Sequence, residues 1–195
     1  MILMPVSDPR LDILTEQFAW FMQTLWLDLD DANIKETPHR VAKMFMRETC
    51  KWLFIEKPTM TTFPNTEKGS YDGIVLVKDI AVRSLCEHHF QPFIGFCHIA
   101  YIPTDKILWL SKFARLVNRR SSRPQTQERL TMSLYHDLQE ILGTQDVAIT
   151  MNAEHFCMKV RGVHEHHSST VTSKLGGKFE TDPTTREQFY HLSNQ

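Results

Sequence analysis

The segment Ser84-Leu-Cys-Glu-His-His89 is answered further along the chain by Glu154-His-Phe-Cys157. Between them they offer Cys86, His89 and Cys157 as three soft or borderline donors, with His88 and His155 immediately beside them. Three protein ligands on a tetrahedral ion leave one position for water, as in catalytic zinc sites, whereas structural sites recruit four. Free imidazoles beside such an ion can move protons near neutral pH. The chemistry implied is hydrolysis by a metal-activated water. The Cys-x-x-His spacing suits a turn around one ion. In an extended segment residues two apart share a face, so His155 is expected on the side of Cys157, while His88 and His89 point apart and at most one of them ligates. Spacing alone leaves a catalytic and a structural zinc equally open.

A second group could hold an anion. Ser111-Lys-Phe-Ala-Arg115 places a hydroxyl, an ammonium and a guanidinium at the start of an expected helix, whose free N–H groups and dipole also favour phosphate. Arg161, just beyond Cys157, brings another cation. Lys112 and Arg115 read equally as a solvated helix face. In Gln125-Thr-Gln-Glu-Arg129, the Glu128 carboxylate can accept two N–H donors from one edge of guanine, where adenine presents an acceptor instead. His164, His166 and His167 read as solvated loop residues, and His98, inside an apolar strand, as a core or interface histidine with a hydrogen-bond partner.

The elements that must position these groups follow from periodicity. A helix is expected from about Leu11 to Leu27, and another opening at Thr37-Pro38 with Thr37 as its cap. Residues 59–70 are polar and read as a loop. From Gly73 the chain turns β-branched and aromatic, with strands expected at 74–77 and 93–102. Helices capped by Ser111 and opened by Pro124 follow, then strands at 146–152 and 156–160, and a last helix near 184–192. This order predicts an α+β fold, an antiparallel sheet with helices on one face, preceded by an N-terminal helical region. The expected division is 1–70 helical and 71–195 catalytic.

Bulk composition narrows the function. Residues of hydrophobic type make up 42% of the 195, enough for a substantial core. Twenty-two basic against 23 acidic residues give a net charge of −1, which carries no electrostatic footprint for nucleic acid. No apolar run approaches the ~20 residues that span a bilayer. The N-terminus does not read as a signal peptide, so a cytoplasmic protein with reduced cysteines is expected. Cys50 and Cys97, in apolar surroundings, read as small buried hydrophobes.

Taken in order, these pieces closely resemble GTP cyclohydrolase I. The resemblance is carried by Thr37-Pro-His-Arg-Val-Ala-Lys-Met44, Cys86-Glu-His-His89 with Pro92-Phe93 and Gly95, Leu110-Ser-Lys112 and Gln127-Glu-Arg-Leu-Thr131. It continues through His155-x-Cys157, Arg161-Gly-Val163, Thr170-Val-Thr-Ser173 and Asp182-Pro-x-Thr-Arg186. It implies a tunnelling (T-fold) subunit, assembled as a homodecamer with active sites at subunit interfaces. The implied reaction hydrolyses the imidazole ring of GTP at C8, giving formate and 7,8-dihydroneopterin triphosphate, a step that opens folate, biopterin and 7-deazaguanine synthesis. By resemblance, Cys86, His89 and Cys157 hold Zn2+, His88 and His155 are the acid/base histidines, Ser111, Lys112, Arg115 and Arg161 contact triphosphate, and Gln127 with Glu128 bind guanine.

The sequence departs from the family at Trp109, where glycine is usual and where an indole could crowd the phosphate entrance. It departs again at Thr126, where valine is common. A different functional class, a catalytically inactive zinc-containing pterin- or nucleotide-binding T-fold protein, would be expected to lose its proton carriers first. Here both His88 and His155 are present.

Overall fold

The computed structural model describes residues 8–54, 59–66 and 70–194. Its contacts divide the chain into two compact units, 1–57 and 58–195.

In the first unit, helix α1 (Pro9–Thr24) begins where Asp8 accepts the Arg10 N–H, with proline at the first position. It ends three residues short of the expected Leu27, because Leu25 leaves helical geometry and Trp26 turns left-handed at φ 62°. Helix α2 (Thr37–Met44) starts one residue earlier than its proline suggests, so Glu36 is the cap and Thr37 is already helical. Leu11, Ala42 and Met46 form the small core of this unit, with Phe18 stacked on Phe45 at 5.6 Å.

The second unit is built on a five-stranded sheet. Strands β2 (Val75–Cys86), β3 (Pro92–Tyr101), β6 (Val147–His155) and β7 (Thr170–Leu175) run antiparallel, and β5 (Pro124–Gln125) adds a short parallel edge beside Leu85 and Cys86. A small ribbon pairs β1 (Thr62–Pro64) with β4 (Lys106–Leu108), so the segment expected to be a loop contains a strand. Helices α3 (Leu110–Ser121) and α4 (Gln127–Leu142) pack on one face of the main sheet. Between them lie Val82, Phe93, Cys97, Ile99, Phe113, Leu116, Leu130, Leu134 and Ile149, all fully buried. Burying each such side chain stabilises by about 1.5–3 kcal/mol. At one end of the opposite face, Ala100 and Ala148 are covered by Phe179 of α6 (Lys178–Thr181) and Phe189 of α7 (Pro183–Asn194). The fold is therefore α+β, with α3 and α4 on one face of the mainly antiparallel sheet; the expectation of helices on one face alone is corrected, because α6 and α7 cover one end of the other face.

Three expected elements are corrected. Ser111 does not cap α3; Trp109 occupies the cap and makes no side-chain bond there. Pro124 does not open α4, because Pro124 and Gln125 are used as a sheet edge and the hydroxyl of Thr126 caps the helix from the Arg129 N–H. Thr126, one of the two departures from the resembled family, thus has a structural task. Finally, 156–160 is not a strand but a single helical turn, α5 (Phe156–Lys159), and the outer strand is supplied by 170–175.

Two polar features shape the sheet and its helices. A bulge interrupts β2 between Val77 and Ile80, where Asp79 sits at φ 54° and donates its N–H to His98 Nδ1 at 3.2 Å. That bond requires a bare Nδ1. Burial holds His98 below the usual imidazole value of 6.5, partly opposed by the Asp79 carboxylate and helped by Lys78. As pH falls from 6.5 through the lower folded value, the unfolded chain takes up the proton first, so stability declines with pH in that window. Urea unfolding at successive pH values should show a flatter decline in His98→Asn, whose amide oxygen can accept the same N–H.

Between α3 and α4, Arg120 Nε and Nη2 donate to both oxygens of Asp137, which is 4% exposed. Asp137→Ala leaves the guanidinium without its carboxylate. The expected loss is about 3 kcal/mol, the low end for a buried pair because Arg120 keeps partial exposure. Replacing both residues by apolar ones of similar volume should recover most of it, read from the urea midpoint.

Candidate metal centre and active site

Cys86 is the last residue of β2, and the turn that follows is closed by its own backbone: its N–H donates to the Gln91 carbonyl, and its carbonyl accepts from the Phe90 N–H. This turn carries His88 and His89. Phe90 enters left-handed geometry at φ 53° to complete it. The second half of the site arrives on β6. The ladder between β3 and β6 stops at Phe93↔His155, and the chain then coils into α5, which carries Cys157.

The result brings one donor atom from each of Cys86, His89 and Cys157 within 4.8 Å of one another. Among the described residues, these three form the only such group. The donor chemistry fits zinc, which favours thiolate and imidazole ligands over the oxygen donors preferred by harder cations. The Cys157 thiol is pushed up by burial first, then by its hydrogen bond with Cys86, with Arg161 opposing. Two thiols brought together in this way favour a cation between them, since the ion offsets the cost of ionising both.

His88 and His89 stand edge to face, 6.5 Å between ring centroids, and His88 Nδ1 lies 3.8 Å from Cys86 Sγ. His155 is arranged differently. Its ring stacks on Phe93 at 4.9 Å, and its Nε2 lies 2.8 Å from Gln127 Oε1. Burial lowers its pKa, with the Glu128 carboxylate pulling the other way. The expected alternation that would put His155 and Cys157 on one face does not apply, because the strand ends at His155 and Cys157 lies in α5.

Glu128 is exposed in the first turn of α4. Gln127, expected beside it on guanine, is 1% exposed, and its amide is satisfied within the protein. Glu87 reaches from the Cys86–His89 turn to Arg129 Nη1 at 2.9 Å, tying the metal turn to α4. Ser111, Lys112 and Arg115 lie in the first turns of α3, where Lys112 donates to the Thr59 carbonyl at 3.0 Å. Trp109 packs edge-on against Phe63 at 5.8 Å and remains 53% exposed. Arg161 is exposed just beyond Cys157. His164, His166 and His167 are exposed as well, whereas Cys50 and Cys97 are buried. The residues that motif reading missed are Phe93 as a ring support, and Thr131 and Thr172 behind Gln127. All three lie within stretches that carry the family resemblance, but none of them was given a role there.

A thiol–imidazole trio at the end of an antiparallel sheet, with His88 beside Cys86 and His155 two residues before Cys157, defines a metal-capable centre. The chain belongs to the GTP cyclohydrolase I family, whose sequence model matches residues 14–194. Among its relatives, GTP cyclohydrolase 1 of Aeromonas hydrophila subsp. hydrophila is 47% identical over 169 residues, covering 86% of this chain and 77% of the relative. The enzyme of that name from Flavobacterium johnsoniae is 48% identical over 184 residues, covering 94% and 81%. That of Erwinia tasmaniensis is 43% identical over 184 residues, covering 94% and 82%.

Proposed function

We propose that this protein is a zinc-dependent hydrolase that opens the imidazole ring of GTP at C8, releasing formate and forming 7,8-dihydroneopterin triphosphate. The observation that carries the reading is the trio Cys86, His89 and Cys157, a three-donor group with no fourth protein ligand among the described residues. Family membership gives the substrate. Bound by this trio, zinc would supply the Lewis acidity that makes water nucleophilic near neutral pH.

The chain's own residues account for the remaining needs. Glu128 accepts the N1–H and amino group of guanine, which fixes the base and rejects adenine. Lys112, Arg115, Ser111 and Arg161 neutralise the triphosphate, and Lys112 exchanges its Thr59 carbonyl for a phosphate oxygen. His155 acts as the imidazolium and donates a proton to N7 as the ring opens, since the purine nitrogen must be protonated before C8 becomes electron-poor enough. His88 serves the later opening of the ribose, which recloses on the freed amine. The triphosphate is retained throughout, and no redox partner is required.

The unit 58–195 is read as the catalytic T-fold. The working form is a homodecamer with sites between subunits. Four free cysteines support a reducing, cytoplasmic setting, and no helix among the described residues is long and apolar enough to cross a membrane. The test is base selectivity. GTP should yield the fluorescent pterin after oxidation, ATP should not, and Glu128→Gln should weaken GTP use more than it weakens triphosphate binding. Equal handling of GTP and ATP would remove Glu128 from the site.

A further inference from the structure

Gln127 begins α4 with a side chain that is 1% exposed. Its Nε2 donates toward three acceptors: the Thr170 carbonyl at 2.9 Å, the Met151 carbonyl at 3.2 Å and Thr172 Oγ1 at 3.1 Å. Thr172 Oγ1 is in turn 2.8 Å from Thr131 Oγ1, and Thr131 donates back to the Gln127 carbonyl at 3.0 Å. The amide therefore has one permitted orientation. Turned over, its oxygen would face two carbonyl oxygens at hydrogen-bond distance, and the two amide hydrogens would be withdrawn from this buried set of acceptors. With the nitrogen so fixed, Oε1 must face His155 Nε2, 2.8 Å away. An amide oxygen only accepts, so that imidazole nitrogen must carry a hydrogen. Phe93, stacked within 11° of parallel, fixes the plane of the same ring.

We propose that Gln127 is a positioning residue rather than a substrate contact: it holds the His155 ring in one orientation with hydrogen on Nε2, leaving Nδ1 as the ring atom available to a ligand. The inference rests on the proposed role of His155 and adds what sets its tautomer. The partners come from three places, namely α4, β6 and β7. Pairing of Met151 with Thr172 brings the last two together. Support by a neutral acceptor of this kind is how protein shells commonly fix an imidazole tautomer.

Neutron diffraction from crystals of the zinc-loaded full chain reads the hydrogen directly. A deuterium on His155 Nε2 aimed at Gln127 Oε1 is expected. A bare Nε2 facing the Gln127 amide nitrogen would overturn the proposal. Kinetics give an independent reading through Gln127→Met, which keeps volume and removes both polar ends. The expected result is a kcat lower by about 10- to 100-fold with KM for GTP little changed and zinc content intact. A raised KM at unchanged kcat would show a substrate contact instead, and unchanged kinetics would leave no role for the amide. If that variant does not fold, Thr172→Val removes only the hydroxyl behind the amide. A smaller kcat loss at constant KM supports the proposal, and full kcat overturns it. A wild-type chain inert toward GTP would instead count against the proposed function, and the neutron map would still decide the tautomer.

Discussion

Cys157→Ala is expected to lose zinc and turnover together. Removing one of three donors leaves Cys86 and His89, two groups on one turn, to hold an ion that ordinarily takes at least three protein ligands in a catalytic site. The two halves of the site come from different strands, so the loss also uncouples the β6 end from the β2 end. Metal content after gel filtration should fall to background, with formate release falling in parallel. The fold should survive, because Cys157 is only partly buried and packs at the margin of the main core. Full metal content in this variant would contradict the assignment of the trio.

His155→Ala should separate what Cys157→Ala joins. The His155 ring is outside the trio, held by Phe93 on its face and Gln127 at Nε2. Zinc should therefore remain bound. Losing a proton carrier costs about 10²- to 10⁴-fold in rate, so kcat should drop by that order, with KM far less affected. The sign of this comparison matters more than its size. Retained full activity would remove His155 from the mechanism, and loss of zinc would make it a ligand. The expected loss exceeds that of Gln127→Met, since a misplaced imidazole still transfers protons some of the time whereas an absent one does not.

Motif reading located the trio because thiols and imidazoles are uncommon and their chemistry is specific, so residue type carried the information. The β-branched and aromatic runs gave β3, expected at 93–102 and found at 92–101, but only the start of β2, expected at 74–77 and found at 75–86. The failures share a cause in non-local geometry. Phe156, Met158 and Val160 alternate as a strand should, yet the chain coils there. The β6 ladder ends opposite Phe93, one residue inside the Pro92 start of β3, and Pro92 has no N–H to extend it. Residues 170–175 (Thr-Val-Thr-Ser-Lys-Leu) lack an apolar period because β7 is an outer strand with Val171 64% exposed. Its family motif was visible, but its secondary structure was not.

Gln127 shows the same limit at the site. Its position beside Glu128 suggested a shared purine, but adjacent residues at a helix start point in different directions. Gln127 turns inward to β6 and β7 while Glu128 faces out. Gly95, in contrast, was legible as part of a motif and has a plain reason. A Cβ there would lie 1.9 Å from the Asn152 carbonyl oxygen, too close for any side chain to be accommodated without moving β6.

The most direct test is a zinc titration of chelator-stripped protein, with formate released from GTP as the readout. Formate should be absent from the metal-free chain and should rise with added zinc until one ion is bound per chain, each formate matched by one dihydropterin. Formate released undiminished without metal, or none at any zinc level with correctly assembled protein, would contradict the account.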